Sequence, residues 1–123
     1  MDLEMKKALL GKLVSNNSYI KHYYSLIKRL GSDYSLLLCE FINKFDYYRQ
    51  NNQLVQEEWF FYKRDDIEKK FGFSEFKQRT IINKLEKEGL IKTTFFKGEM
   101  PPKRYYSIEI DKVLKLFLEE KIE

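Results

Sequence analysis

A chain of 123 residues with 43% hydrophobic and 34% charged residues has the composition of one soluble globular domain, too short for two independent cores. One cysteine (Cys39) and one histidine (His22) exclude an internal disulfide and any Cys/His metal site of ordinary spacing. No apolar run approaches the roughly 18 residues of a membrane span, and the N-terminus MDLEMKKALLGKL is too charged for a signal peptide.

These features lead to an expectation of a cytoplasmic protein with no membrane partner. The formal charge of +4 is unevenly spread. From Lys63 to Arg104 there are twelve Lys and Arg against seven Asp and Glu, whereas residues 1 to 62 carry +1 and residues 105 to 123 carry −2. A local basic excess is the electrostatic footprint of a nucleic-acid contact.

In chain order, Met5, Leu9, Leu10, Leu13 and Val14 recur at helical spacing, so residues 2 to 14 form an amphipathic helix that Ser15-Asn16-Asn17-Ser18 ends. This helix either packs on its own domain or pairs with a second copy. Ile20, Tyr23, Tyr24, Ile27 and Leu30 predict a further helix over 18–30, closed by Gly31; its tyrosine stripe is a packing pattern, and His22 beside it is a surface or packing residue. Residues 1–30 are thus expected to be a helical extension and 31–123 the main domain.

Ser32 is positioned to cap DYSLLLCEFINKFDYYRQ, which is apolar on more than one side and predicts the central buried helix, with Cys39 as a small core hydrophobe. After the loop Asn51-Asn52-Gln53, the aromatic run Trp59 to Tyr62 predicts a short strand. Lys63 to Phe71 predicts a two-turn helix with Ile67 and Phe71 facing in, and Gly72-Phe73 a turn.

Ser74 to Ile91 (SEFKQRTIINKLEKEGLI) carries both a start and a stop: Ser74 can cap a helix and Gly89 can end one. Gln78, Ile81, Ile82 and Leu85 share one face, and Gln78 in an apolar slot implies a hydrogen bond at the turn. Lys77, Arg79, Thr80, Asn83, Lys84 and Lys87 point the other way, a mixture suited to phosphates and base edges. Phe76 falls on the outer face without a packing reason: it could meet Phe73, a thymine methyl or a partner protein. Leu90 to Phe96 and Arg104 to Ile110 then alternate as the two strands of a hairpin around the Pro-containing tip 97–103, and Asp111 is placed to cap a last helix with Val113, Leu114, Phe117 and Leu118 inward.

The fold class is therefore mainly α with a small β-hairpin (α+β). The aromatic strand Trp59 to Tyr62, Asp66-Ile67, Ser74 with Lys77-Gln78-Arg79, Leu85 followed by Glu88-Gly89-Leu90-Ile91, and Tyr105-Tyr106 with Ile108 resemble winged helix-turn-helix domains. Such domains occur in bacteriophage and plasmid replication initiators, replisome organisers and small regulators. The resemblance covers roughly half the chain and implies non-catalytic binding to double-stranded DNA.

It also implies that the Ser74 helix lies in the major groove and the hairpin acts as a wing. Arg79 and Asn83 would then read bases, Lys77, Lys84 and Lys87 would meet phosphates with Thr80 on the same face, and Lys97, Lys103 and Arg104 would be the wing cations. Possible partners besides DNA are a second copy, through the N- or C-terminal helix, and replication or transcription proteins. An alternative is a protein-interaction module using Phe95, Phe96, Tyr105 and Tyr106. No cofactor is expected, and no glycine-rich phosphate loop or metal-spaced carboxylate cluster points to an enzyme.

Overall fold

The segment that holds Leu36, Leu37, Leu38, Phe41, Ile42 and Phe45 has an apolar surface too wide for one side of a helix to leave in solvent. In the computed structural model, which describes residues 1–15, 27 and 30–119, it becomes the axis of the core. The elements among the described residues are α1 (Leu3–Ser15), α2 (Ser32–Gln50), β1 (Phe60–Phe61), α3 (Arg64–Phe71), α4 (Glu75–Lys87), β2 (Ile91–Phe95), β3 (Arg104–Ile108) and α5 (Ile110–Glu119). The molecule is mainly helical with one small antiparallel sheet, the α+β class expected. The helix expected over 18–30 lies outside the described residues except for Ile27 and Leu30, and so does His22.

Every residue from Leu37 to Ile42 is buried, Cys39 among them as a small core side chain. Phe41 organises the aromatic centre: it stacks on Tyr106 at 4.7 Å and meets Phe60 and Tyr62 edge-on at 6.0 and 6.1 Å. Each such pair adds about 0.5–1.5 kcal/mol beyond the area it buries. The sheet that supplies these partners has the order β1-β3-β2, with Phe60 opposite Tyr106 and Thr93 opposite Tyr106 on the other side. Strand alternation therefore turns Phe60, Ile91, Tyr106 and Ile108 to the core and Phe61 and Tyr105 to the outer face.

A polar island sits within this packing. Glu40 of α2 is buried and accepts from the Tyr62 hydroxyl at 2.6 Å and the Lys70 ammonium at 3.0 Å, tying β1 and α3 to the central helix. Burial, and then the bond to Glu40, push the Tyr62 phenol well above its ordinary pKa.

α1 packs on α2 and α5 of its own chain, with Leu10 and Leu13 in the common core. Met5, expected in that stripe, is 58% exposed, and Lys7 takes an inward position instead. The Lys7 ammonium donates to the Glu57 carbonyl at 3.0 Å and lies 3.4 Å from Glu4, so the buried cation is held by oxygen. In α5, Val113, Leu114 and Phe117 are buried while Leu118 is 37% exposed, at the edge of the stripe and not within it.

Two caps lie one and two residues earlier than expected, at Gly31 and Glu109. The N-cap of α2 is Gly31, at φ 92°, because its carbonyl takes both the backbone N–H and the hydroxyl of Ser35; Ser32 is already helical. α5 begins at Ile110, since Val113 N–H bonds to the Glu109 carbonyl, and the Asp111 carboxylate is held by Lys6 at 2.6 Å in place of capping.

Candidate nucleic-acid interface

The helix that carries most of the candidate residues is delimited by the two signals in its sequence. Ser74 Oγ accepts from the Lys77 N–H at 3.2 Å, and at the far end Leu90 N–H reaches the Leu85 carbonyl while Gly89 N–H reaches that of Glu86, both at 3.0 Å. That paired bonding needs a left-handed residue after the cap, and Gly89 supplies it at φ 75°. Gln78 is 2% exposed and its amide donates to the carbonyls of Phe73 and Arg64 at 2.8 and 3.1 Å. The polar residue in the apolar slot is thus the pin that sets α4 against α3.

With Gln78, Ile81, Ile82 and Leu85 buried, the opposite side of α4 is left to solvent. Its centre is the stripe Phe76, Thr80, Asn83 and Lys87, spaced four, three and four residues apart and exposed throughout. The remaining expected residues lie on its two flanks. On one flank, Lys77 pairs with Asp33 at 2.6 Å and rests over the Phe73 ring, and the Lys84 ammonium lies 4.3 Å from the Tyr34 ring centroid, both leaning on the start of α2.

On the other flank, Arg79 is 3.6 Å from Glu75 and faces the hairpin. Between them opens a cleft of about 610 Å³ with Arg64, Arg79, Lys103 and Arg104 on its walls, Ile82 and Phe95 among its apolar lining, and Glu75 and Asp65 at the α3 end. Arg64 was not singled out by sequence; its only signal was its place beside Asp65-Asp66 at the start of a helix.

The hairpin cations differ in kind. Lys97 and Lys103 are exposed, the latter with its ammonium 5.4 Å from the Phe61 ring. Arg104 is half-buried and acts as a strut between the hairpin and α4: it donates to Thr93 Oγ1 at 3.3 Å, approaches Glu86 at 3.9 Å and lies against the Tyr106 ring. Glu75 likewise binds Arg64 at 2.7 Å, so two of the acids that interrupt the basic surface are engaged by cations of the same surface.

The four aromatics expected as a joint protein contact do not share a surface. Tyr106 is in the core, where burial raises its phenol pKa; Tyr105 and Phe96 pack edge-on at 4.8 Å on the outer sheet face; only Phe95 is openly exposed, at 59%. Phe76 does not pack on Phe73, whose ring stacks on Phe71 at 5.3 Å. It is 73% exposed.

Among the described residues no group of three or more His, Cys, Asp or Glu is placed to hold a metal ion, and no helix is long and apolar enough to cross a membrane. Compared with protein-family models, with curated proteins and with solved structures, the chain matches none.

Proposed function

We propose that this chain is a non-catalytic double-stranded DNA-binding protein of the winged helix-turn-helix type, with α3 and α4 as the two helices of the turn and the β2–β3 hairpin as the wing. The observation that carries this reading is the uncovered outer face of α4, flanked by Lys77 and Lys84 on one side and by Arg79 and the hairpin cations on the other. A helix about 10–12 Å across fits the major groove, and cations on both of its sides meet the two phosphate strands that border the groove. The strand, short helix, longer helix and hairpin, with sheet order β1-β3-β2, support the same reading.

In this docking Asn83, on the exposed stripe, offers its carboxamide to an adenine edge. Arg79 borders the cleft shared with Arg64, Lys103 and Arg104, which makes it an anchor for the backbone strand passing between α4 and the wing. Lys77 and Lys84 bind the strand on the other side, and Lys87, at the C-terminal end of the stripe, adds a phosphate contact there. The resemblance to phage and plasmid domains supports a role as a transcriptional regulator or as a replication initiator or accessory factor of a mobile element.

Fluorescence polarisation with duplex DNA over a salt series tests the reading. Affinity should fall by about 0.9 log unit per log unit of salt for each phosphate contacted. Arg79→Ala and Lys97→Ala should each weaken selected and random duplexes alike and lower that slope by about one, whereas Asn83→Ala should cost about 1–3 kcal/mol on the selected site alone. Absence of salt-dependent binding to any duplex would sink the proposal.

A second reading, a protein-docking wing, is favoured by the exposure of Phe95 at 59% and of Met100 at 87% at the hairpin. Changing both to serine separates the two: duplex binding is retained under the first reading, while a wing partner is lost under the second.

A further inference from the structure

The exposed stripe of α4 holds two residues that no phosphate contact explains, Phe76 and Thr80. Phe76 stands in the first turn, 73% exposed, with no other side chain of the described residues claiming its ring. Thr80 follows one turn later, and its hydroxyl donates to the Phe76 carbonyl at 3.0 Å. That bond commits the only hydrogen-bond donor of the Thr80 side chain to its own helix, so for an outside contact the side chain has left its methyl and an acceptor oxygen. Asn83, on the same line, is the next residue outward.

The order along the stripe is therefore apolar ring, methyl, carboxamide. Exposing a phenylalanine at the start of a helix costs the solvation of a large apolar surface and gives no packing in return. In the major groove the one apolar feature a base pair presents is the 5-methyl of thymine, and Phe and the Thr methyl are suited to meet it, while a carboxamide pairs two-pronged with adenine. The N-terminal part of a groove helix is the part that reaches base edges, and Phe76 and Thr80 are in that part. The cations on both flanks, although Asp33, Asp65 and Glu75 lie among them, favour a polyanion over an apolar protein surface as the occupant.

We infer that Phe76 and Thr80 read thymine methyls and that, together with Asn83, they direct the protein to a run of A·T pairs. This rests on the DNA-binding reading above, and it assigns specificity to the residues of α4 that carry no charge.

The test uses the full chain and a random-sequence duplex pool enriched by repeated binding, followed by the enriched duplex remade with uracil in place of thymine, which differs only by the methyl. Wild type should enrich consecutive A·T pairs. Its affinity should drop about fourfold for each contacted methyl removed, the value of one CH₂-sized apolar contact. Phe76→Ala should bind the thymine and uracil duplexes with a smaller difference than wild type, and Phe76→Leu should keep most of that difference.

Because Phe76 is exposed, neither variant perturbs the core. Equal wild-type affinity for the thymine and uracil duplexes, or an unchanged A·T enrichment by Phe76→Ala, overturns this inference while leaving DNA binding in place. Failure to bind any duplex overturns both.

Discussion

Replacing Gln78 by methionine keeps the length and volume of the side chain and removes only the amide that pins α4 to α3. Two hydrogen bonds disappear, to the Phe73 carbonyl at 2.8 Å and to the Arg64 carbonyl at 3.1 Å. The Arg64 carbonyl lies in the first turn of α3, where the helix ladder also addresses it. The Phe73 carbonyl lies in the turn and loses its donor beside a side chain that is 2% exposed.

A net loss of about 1 kcal/mol for the bond to Arg64, and a penalty of about 1–3 kcal/mol for the Phe73 acceptor left dry, give roughly 2–4 kcal/mol. Methionine recovers part of this by burying an apolar side chain, so about 2 kcal/mol is expected. With an m value of about 1–3 kcal/mol/M, the urea midpoint moves down by roughly 1 M. Urea unfolding followed by circular dichroism measures it. A change below about 0.5 kcal/mol would refute the idea that the amide sets the turn, since that is the range of ordinary surface substitutions.

Three further predictions follow from single contacts. Gly11→Ala would bring a Cβ within 2.3 Å of Asp46 Oδ1, and Asp46 is tied to Arg49 and Gln50, so a loss of about 1–3 kcal/mol is expected in the same urea assay, most of it restored by adding Asp46→Ala. Tyr62 keeps its proton in the folded chain when the unfolded chain has released it, so stability should fall as pH rises past about 10, and the fall should be shallower in Tyr62→Phe. Glu75→Gln removes the acid that holds Arg64 at 2.7 Å and approaches Arg79 at 3.6 Å; duplex affinity should rise by a few fold at low salt and the gain should vanish at high salt, as read by polarisation.

How much of this was legible in the chain follows from the range of the interactions. The ends of α4 were readable because Ser74 and Gly89 act on neighbours within three to five residues. Gln78 was readable as an anomaly, a polar residue in an apolar row, although its acceptors were not. The position of Lys7 was not readable, since its burial depends on the Glu57 carbonyl fifty residues later. The flank of Lys77 and Lys84 depends on Asp33 and Tyr34, which lie forty-four and fifty residues before them. Grouping Tyr105 with Tyr106 as one contact overlooks strand alternation, which turns them to opposite faces, and it is the rings of Phe41 and Phe60 that take Tyr106 into the core.

The mixed charge of the candidate surface then has a structural reason. An exposed basic face made of long flexible side chains loses rotamer freedom when it binds, up to about 2 kcal/mol for each Lys or Arg held. Here Glu75 orders Arg64 and lies beside Arg79, Glu86 and Thr93 order Arg104, and Asp33 orders Lys77. These exposed pairs add little to stability by themselves.

What they supply is position: Arg64, Lys77, Arg79 and Arg104 are held beside the stripe by acids of the same surface. Under the proposed DNA-binding reading, the uncharged stripe of Phe76, Thr80 and Asn83 would depend on that arrangement, because contacts to phosphate set the register and orientation in which base edges are read. On that proposal, the acids that weaken the surface as a simple basic patch would favour docking in one orientation.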